Sequence, residues 1–201
     1  AEPVAHTEVI KKVWDYVKAQ GLQDASNKRA INADALLLPA DFDSYRHYSR
    51  LFKAAVREIA PEVEDRGIDE IYFDVSDHAE DSHSLAQRIQ NAVFDATGLT
   101  CSIGISPNKL LSKIGSDLDK PRGITVLTLD DVPTRIWPLA VKKINGIGPK
   151  ASERLAKLGI HTVGELAGAP QELLIAHFGS STGHWMHRVA HGIEIGRASC
   201  R

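Results

Sequence analysis

The sequence predicts an α+β fold in which a mixed β-sheet layer with covering helices is followed by a small all-helical unit. Between residues 42 and 127, short segments rich in Ile, Val, Tyr and Phe alternate with longer segments whose apolar residues recur at helical spacing. From residue 136 to 193 the helical spacing continues without strand-like segments and is interrupted by glycines. Such a change of pattern indicates two units, and we expect their boundary between Asp130 and Pro138.

Helices are expected where apolar residues recur every three or four positions. In the first unit these segments are residues 42–60, ended by Pro61, residues 82–97, ended by Gly98, and a segment for which Ser106 is expected to be the N-cap and Pro107 the first-turn proline. The apolar side of the first helix is predicted to carry Tyr45, Tyr48, Leu51, Phe52, Ala55 and Ile59. A further helix is expected over residues 7–20. Strands are predicted at Ile68–Val75, Leu99–Ile105 and Ile124–Leu127.

The charge of the chain is unevenly distributed. Its 201 residues carry a formal net charge of -2, yet residues 61–96 contain ten acids against two arginines, and residues 107–161 contain ten Lys or Arg against five acids. An acidic region beside a basic one suits metal-dependent chemistry on a polyanion, although solvated helix faces give the same statistics. No apolar run is long enough to span a membrane, and Cys101 and Cys200 lack metal-ligand spacing. We therefore expect a soluble, cytoplasmic protein without a zinc site.

Two adjacent carboxylates, Asp69 and Glu70, begin the first predicted strand. Carboxylates at a strand edge can hold the two divalent ions that assist nucleotidyl transfer. On a regular strand the two side chains would point to opposite faces, so a turn or twist has to bring both to one site. The alternative is an ordinary solvated Asp-Glu step at the start of a strand.

The predicted helix after Ser106 ends in a group of charged residues. Asp117 lies near its end, and Lys120 and Arg122 follow. A lysine at this position can act as a mobile point charge on a nucleoside triphosphate. The alternative is favourable basic charge at a helix C-terminus, without any ligand.

A glycine turn at Gly146 and Gly148 precedes Lys150 and is flanked by helical patterns on both sides. Such a turn lets backbone N–H groups and a helix N-terminus approach a phosphate without obstruction by side chains. The pattern is that of a helix-hairpin-helix. It predicts DNA-backbone binding without sequence preference through these three residues, and a plain αα-hairpin is the alternative.

Residues 36–193 resemble the Y-family, or lesion-bypass, DNA polymerases, in particular the bacterial DNA polymerase IV type. The resemblance rests on the order and spacing of four stretches: LLLPADFDSYRHYSRLFKAAVREIAPEVEDRGIDEIYFDVSD, TCSIGISPNKLLSKIGSDLDKPRG, KKINGIGPKASERLAKLGIHTVGELA and HFGSSTGHWMHRVAHGI. It implies a partial polymerase palm over residues 36–132 and a thumb with a helix-hairpin-helix over residues 133–193. It also implies a DNA-directed DNA polymerase, a nucleotidyltransferase that acts in translesion synthesis and the repair of DNA damage.

The same resemblance implies roles for individual residues. Asp69 would be a catalytic metal ligand, and Glu70 would be its neighbouring active-site carboxylate. Lys120 would bind the incoming deoxynucleoside triphosphate, with Asp117 supporting it, and the turn at Gly146 would hold the primer-side backbone. The implied cofactor is Mg²⁺. The implied partners are primer-template DNA, deoxynucleoside triphosphates and, for the intact protein, a replication sliding clamp.

Both ends of the chain depart from the family pattern. Residues 1–35 resemble part of a SWIB-type domain, and we expect them to be a non-native fusion, while residues 194–201 look like translated adapter DNA. A natural fusion with a natural stop is the alternative. The family's first strand, with another metal-binding aspartate, and its fingers subdomain do not appear in the sequence, so we expect negligible polymerase activity from this chain alone. The other interpretations are a non-catalytic DNA-binding module and a SWIB-type interaction protein.

Overall fold

The computed structural model describes residues 40–193, in which helices and short strands are followed by helices alone. The first part contains α1 (Phe42–Arg57), β1 (Val63–Asp65), β2 (Ile71–Phe73), α2 (Ser82–Thr97), β3 (Ile103–Ile105), α3 (Lys109–Leu118) and β4 (Ile124–Val126). Three short helical turns follow at Leu129–Asp131, Val132–Ile136 and Val141–Lys143. The last part contains α4 (Pro149–Ala156), α5 (Val163–Gly168), α6 (Gln171–Phe178) and α7 (Ser180–Ala190). The predicted α+β class is confirmed.

The strands form two separate pairs. β1 and β2 are antiparallel, with Val63 opposite Phe73, and β3 and β4 are parallel, with Ile103 opposite Ile124. Both strand directions therefore occur, as in the mixed sheet that the sequence predicts, but within the described residues they do not join. Each strand is three residues long, and the three that were predicted, β2, β3 and β4, are shorter than expected. β1 was missed because its sequence, Val-Glu-Asp, has a single apolar residue and no alternation.

The caps explain why one helix was predicted accurately and another was not. At the start of α2, the Asp81 carboxylate accepts hydrogen bonds from the amides of His83 (3.1 Å) and Ser84 (3.0 Å), and Gly98 ends the helix at φ 69°. The prediction that α3 is capped by Ser106 is wrong. Asn108 is the cap, because its side-chain oxygen accepts the Leu111 amide at 3.0 Å, while the Ser106 hydroxyl donates to the Asn108 carbonyl at 2.6 Å.

The buried side of α1 differs from the predicted one. Tyr45 and Tyr48 are 46% and 42% exposed, whereas Ser49, Lys53 and Val56 are buried. A lysine on the buried side of a helix is unusual, since its charge has to be compensated there. The partners of Lys53 lie in the turn after β1, at a distance in sequence that helical periodicity does not reveal.

The chain divides into two compact units, and the second comprises Tyr48–Arg201. Two apolar clusters stabilise the fold of this second unit. The smaller cluster joins α1, α2 and β3 through Val56, Leu85, Ala86, Ile89, Val93 and Ile103. The larger cluster joins α3 to the C-terminal helices, and its most buried members include Leu111, Leu155, Leu166, Leu174 and Met186. Each such side chain contributes about 1.5–3 kcal/mol relative to exposure. The predicted boundary between palm and thumb stays a prediction.

Hydrogen bonds connect the end of α7 to the cap of α3 and to the residue after the Val132–Ile136 turn. The Asn108 amide donates to the Gly192 carbonyl at 2.8 Å, and the Trp137 indole donates to the Ala190 carbonyl at 3.0 Å. Asn108 therefore both caps α3 and fixes its first turn to the end of the chain's described part.

No helix among residues 40–193 is both long and apolar enough to cross a bilayer. The predicted helix over residues 7–20, the whole SWIB-like segment 1–35 and the tail 194–201 lie outside the described residues.

Candidate functional site

The two predicted catalytic carboxylates lie in the turn that joins β1 to β2. Asp69 is exposed in a bend, and Glu70 is the residue immediately before β2. The Arg66 amide donates to the Glu70 carbonyl at 3.0 Å and closes the turn, in which Gly67 has φ 146°, a value that favours glycine. Because the pair precedes the strand, the alternation of side chains along a regular strand does not apply to it.

Ion pairs connect this hairpin to α3. Lys113 pairs with Glu70, and Lys109, one turn earlier on the same helix, pairs with Glu64. The hydrogen bond from Lys109, followed by its charge, lowers the pKa of Glu64. The side chains of Lys113 and Glu70 are 26% and 43% exposed, and ion pairs with such exposure contribute about 0–1 kcal/mol. Another cation could therefore replace Lys113 at Glu70 at small energetic cost.

The predicted nucleotide-binding residues, Asp117 and Lys120, lie at and just after the C-terminal end of α3. The Lys120 ammonium lies 2.6 Å from a carboxylate oxygen of Asp117, in a pair in which both side chains are about one-third exposed, 31% and 37%. Asp117 is four residues after Lys113, about 6 Å further along the helix axis. The carboxylate turn and the Lys120 segment therefore adjoin the same helix, and the roles of these residues stay predictions.

A buried glutamine that sequence reasoning missed anchors the segment after Lys120. Gln90 of α2 is 5% exposed, and its amide nitrogen lies 2.9 Å from the carbonyl of Cys101, 3.0 Å from that of Arg122 and 3.3 Å from that of Gly123. Arg122 has φ 58°, a left-handed conformation uncommon for residues other than glycine. A polar residue inside the apolar stripe of a predicted helix was the available signal. Burial of that amide is compensated by these carbonyls.

The glycine turn predicted to bind DNA connects the Val141–Lys143 turn to α4. Gly146 has φ 104°, and Gly148 precedes Pro149, the first residue of α4. The first arm is a 3₁₀ turn rather than the expected α-helix. Val141 is the buried residue of this turn, and the buried residues Ile144 and Ile147 follow it at intervals of three, which is the period of a 3₁₀ helix.

The turn presents basic side chains and a tightly packed glycine. Lys142, Lys143 and Lys150 are exposed. A Cβ atom on Gly146 would lie 2.8 Å from Cη2 and 2.9 Å from Cζ2 of Trp185, so the Trp185 ring of α7 occupies the space that a side chain would need. Gly148 has no such neighbour within 4 Å. The packing of α7 therefore sets the position of the turn.

The available metal ligands are few. In the part of the chain that the structure describes, no three His, Cys, Asp or Glu side chains are grouped so that they could hold a metal ion. Mg²⁺ in nucleotide sites is usually held by one or two carboxylates, with water and substrate phosphates completing the coordination, because it dehydrates reluctantly. Asp69 and Glu70 are two such carboxylates, and their role as Mg²⁺ ligands stays a prediction.

Two family descriptions match the chain in tandem. Residues 5–117 match the impB/mucB/samB family, and residues 139–193 match the description "DNApol eta/Rev1, HhH motif". The chain belongs to the impB/mucB/samB family. The resemblance to the Y-family polymerases and the helix-hairpin-helix are thereby confirmed. The family match reaches into residues 5–35, where the sequence indicated a SWIB-type segment, and that segment's SWIB-type resemblance stays a prediction.

Relatives of known name are DNA polymerases IV. The chain is 40% identical to DNA polymerase IV of Moorella thermoacetica over 170 residues, which are 83% of this chain and 42% of that protein. It is 44% identical to DNA polymerase IV 1 of Bacillus subtilis over 143 residues, 70% of this chain and 34% of that protein. This impB/mucB/samB family member thus spans less than half of the length of these two relatives.

Solved structures agree with the fold. The crystal structure of DinB from Sulfolobus solfataricus superposes with a TM-score of 0.70 at 25% identity, over 80% of this chain and 49% of that one. A structure described as a Dbh ternary complex superposes with a TM-score of 0.71 at 26% identity, over 81% and 49%. About half of each of those chains is therefore similar to this one.

Proposed function

We propose that this chain supplies palm and thumb portions, residues 36–132 and 133–193, of a Y-family DNA polymerase that adds deoxynucleotides opposite damaged template bases. The observation that carries the proposal is the tandem of the two matched regions, residues 5–117 and 139–193, in one chain. The contact between the carboxylate turn and α3 supports it, because α3 leads to Lys120.

In this proposal Asp69 and Glu70 hold Mg²⁺, which when bound neutralises charge on the phosphates in nucleotidyl transfer. Lys120 attracts the phosphates of the incoming deoxynucleoside triphosphate, and Asp117 holds its ammonium near the end of α3 when no nucleotide is bound. Lys113 neutralises Glu70 in the absence of a divalent cation. The acidic turn thus has a counter-ion in the described structure.

The proposed contact with primer-template DNA is the glycine turn. Gly148 leaves the N-terminus of α4 open, and the exposed Lys150 adds a positive charge in the first helical turn. Phosphates favour helix N-termini and lysines regardless of base sequence, which suits a polymerase that has to follow any template. In the intact protein we propose a cytoplasmic location and a replication sliding clamp as a further partner.

Nucleotide binding tests the proposed site without requiring turnover. A fluorescent deoxynucleoside triphosphate should bind the full chain in the presence of Mg²⁺, and Lys120→Ala should weaken binding by about tenfold or more, as expected for loss of a charge-assisted contact. Asp69→Ala should reduce the dependence on Mg²⁺. The matched control is Lys157→Ala, which removes an exposed surface pair with Glu153. Equal binding by all four proteins would refute the assigned site.

Primer extension tests what the chain does alone. Two adjacent carboxylates are fewer ligands than a two-metal centre draws from its protein, and the chain spans less than half of its relatives' length. We therefore expect extension of a primer far below that of a full-length DNA polymerase IV under the same conditions. Synthesis at a comparable rate would overturn this expectation.

A second candidate is a non-catalytic DNA-binding module. It is favoured by the match to a helix-hairpin-helix at residues 139–193 and by the exposed lysines of the glycine turn. Binding to duplex DNA should weaken with salt, and Lys150→Glu should weaken it further and reduce the slope of log K against log salt by about 0.9 for one lost phosphate contact. The module would be favoured over the polymerase if the chain does not bind nucleotide and the Asp69→Ala variant still binds DNA.

A further inference from the structure

Lys53 is a buried cation outside the set of residues assigned so far. It lies on α1, is 7% exposed, and points its ammonium at the turn after β1. The ammonium nitrogen lies 2.9 and 2.8 Å from the two carboxylate oxygens of Asp65 and 2.5 Å from the Gly67 carbonyl oxygen. Three hydrogen-bond donors thus meet three acceptors, which is the full donor capacity of a lysine.

The acceptor residues lie at the start of the turn that carries the proposed metal-binding carboxylates: Asp65 is the last residue before it, and Gly67 is inside it. Asp65 ends β1, and one of its oxygens also accepts the Gly67 amide at 3.0 Å. Gly67 stands two residues before Asp69, and the amide of Arg66, which lies between Asp65 and Gly67, donates to the Glu70 carbonyl. Lys53 therefore fixes the first half of a turn whose second half contains Asp69 and Glu70.

The contact is more tightly held than an ordinary surface ion pair. The hydrogen bond from Lys53 is the main reason why the pKa of Asp65 is lowered, and the Gly67 amide is the second. The Lys53 side chain is 9% exposed, so its charge has little access to water and depends on these acceptors. Removing them would leave a buried cation uncompensated, which proteins tolerate poorly.

We propose that Lys53 is a positioning residue, which holds the turn between β1 and β2 so that Asp69 and Glu70 can share one divalent cation. The inference rests on the proposed function, because it assigns these carboxylates to a cation. Lys53 acts through Asp65 and Gly67 and contacts neither the cation nor the substrate. Removing its ammonium should therefore weaken cation binding at a distance, as loss of residues that orient metal ligands does.

The test compares Lys53→Met, Asp65→Asn and the surface control Lys157→Met in the full chain. Mn²⁺ is the probe, since it broadens the amide NMR signals of residues close to it, and Asp69 and Glu70 report binding directly. We expect half-maximal broadening of these two signals to need roughly tenfold more Mn²⁺ in both turn variants than in the wild type and the control. Hydrogen exchange at the Arg66 and Gly67 amides should accelerate in the same variants.

The outcomes separate the inference from the proposed function. If Mn²⁺ does not broaden Asp69 or Glu70 in the wild type, the proposed metal role is refuted and the inference with it. If Mn²⁺ binds the wild type and both turn variants equally, the inference alone is refuted. Protection of α2 amides from hydrogen exchange checks that each variant is folded. If Lys53→Met does not fold, the result for Asp65→Asn decides whether the inference holds, because that variant keeps the Lys53 ammonium and the shape of the residue 65 side chain.

Discussion

Replacement of Gly146 by alanine should destabilise the glycine turn, whereas the same change at Gly148 should not. The two glycines stand two residues apart in one turn, so the pair forms a matched comparison. Gly146 has φ 104°, while Gly148 has φ -77° and ψ 177°, which alanine adopts readily. A Cβ atom would lie 2.8 Å from the Trp185 ring at Gly146 and would have open space at Gly148.

The magnitude follows from two separate costs. A non-glycine residue with positive φ costs about 1 kcal/mol or more, and forcing one extra methyl group into packed surroundings costs about 1–3 kcal/mol. Gly146→Ala should therefore lose about 2–4 kcal/mol of the free energy of unfolding. At Gly148, the lower entropy of the unfolded chain and the weaker N-cap roughly cancel, which leaves a change within about 0.5 kcal/mol.

Thermal unfolding followed by circular dichroism measures the difference. For a chain of this size the melting temperature shifts by about 2–4 °C for each kcal/mol. Tryptophan fluorescence adds a local report, because Trp185 has to move if the new methyl group is accommodated. Two results would show that contact with Trp185 does not determine the conformation of the turn. One is a melting temperature of Gly146→Ala equal to that of the wild type, and the other is an equal decrease in melting temperature for Gly148→Ala and Gly146→Ala.

Three further predictions concern other parts of the fold. Gln90→Leu should lose about 1–3 kcal/mol in urea unfolding because it removes a buried donor from three carbonyls, whereas Gln87→Leu on the exposed side of α2 should change little. Leu155→Ala should lose about 2–5 kcal/mol through a cavity, since Leu155 is fully buried, and Leu129→Ala, 53% exposed, is its control. The pKa of Asp65 is lowered, so this residue contributes stability that is present above the ordinary pKa of 3.8 and is lost as the pH falls from there through the lowered pKa. Asp65→Asn should therefore lose less of its free energy of unfolding on acidification than the wild type. An equal loss in both proteins would count against the hydrogen bond from Lys53.

Local signals allowed accurate prediction where both ends of an element are marked in the sequence. The bounds of α2 were predicted correctly from the helical spacing and from Gly98 at its end, and in the structure Asp81 caps its start. Before α3, Ser106 was predicted as the cap, because serine is a common N-cap residue, but Asn108 caps the helix. Only the hydrogen bond to the Leu111 amide distinguishes them, and composition does not reveal it.

Contacts between residues far apart in sequence could not be predicted from periodicity. The burial of Lys53 depends on Asp65, which lies 12 residues away in the sequence. Glu70 pairs with Lys113, which lies 43 residues away. The motifs suggested Asp69, Glu70 and Lys120, since short patterns carry residue types and spacing. They did not identify the side chains that orient them, because these depend on tertiary packing.

The two lysines at the carboxylate turn differ in a way that explains their proposed roles. The Lys113 side chain is 26% exposed and pairs with Glu70, itself 43% exposed, so water can solvate both groups when they separate. The Lys53 side chain is 9% exposed and meets three acceptors of the turn, so separation would leave its charge buried. On the proposed roles, a divalent cation would displace Lys113 from Glu70 while Lys53 keeps the turn in place. The acidic turn would then exchange its counter-ion for a metal without refolding, because the lysine that leaves is not the one that holds the turn.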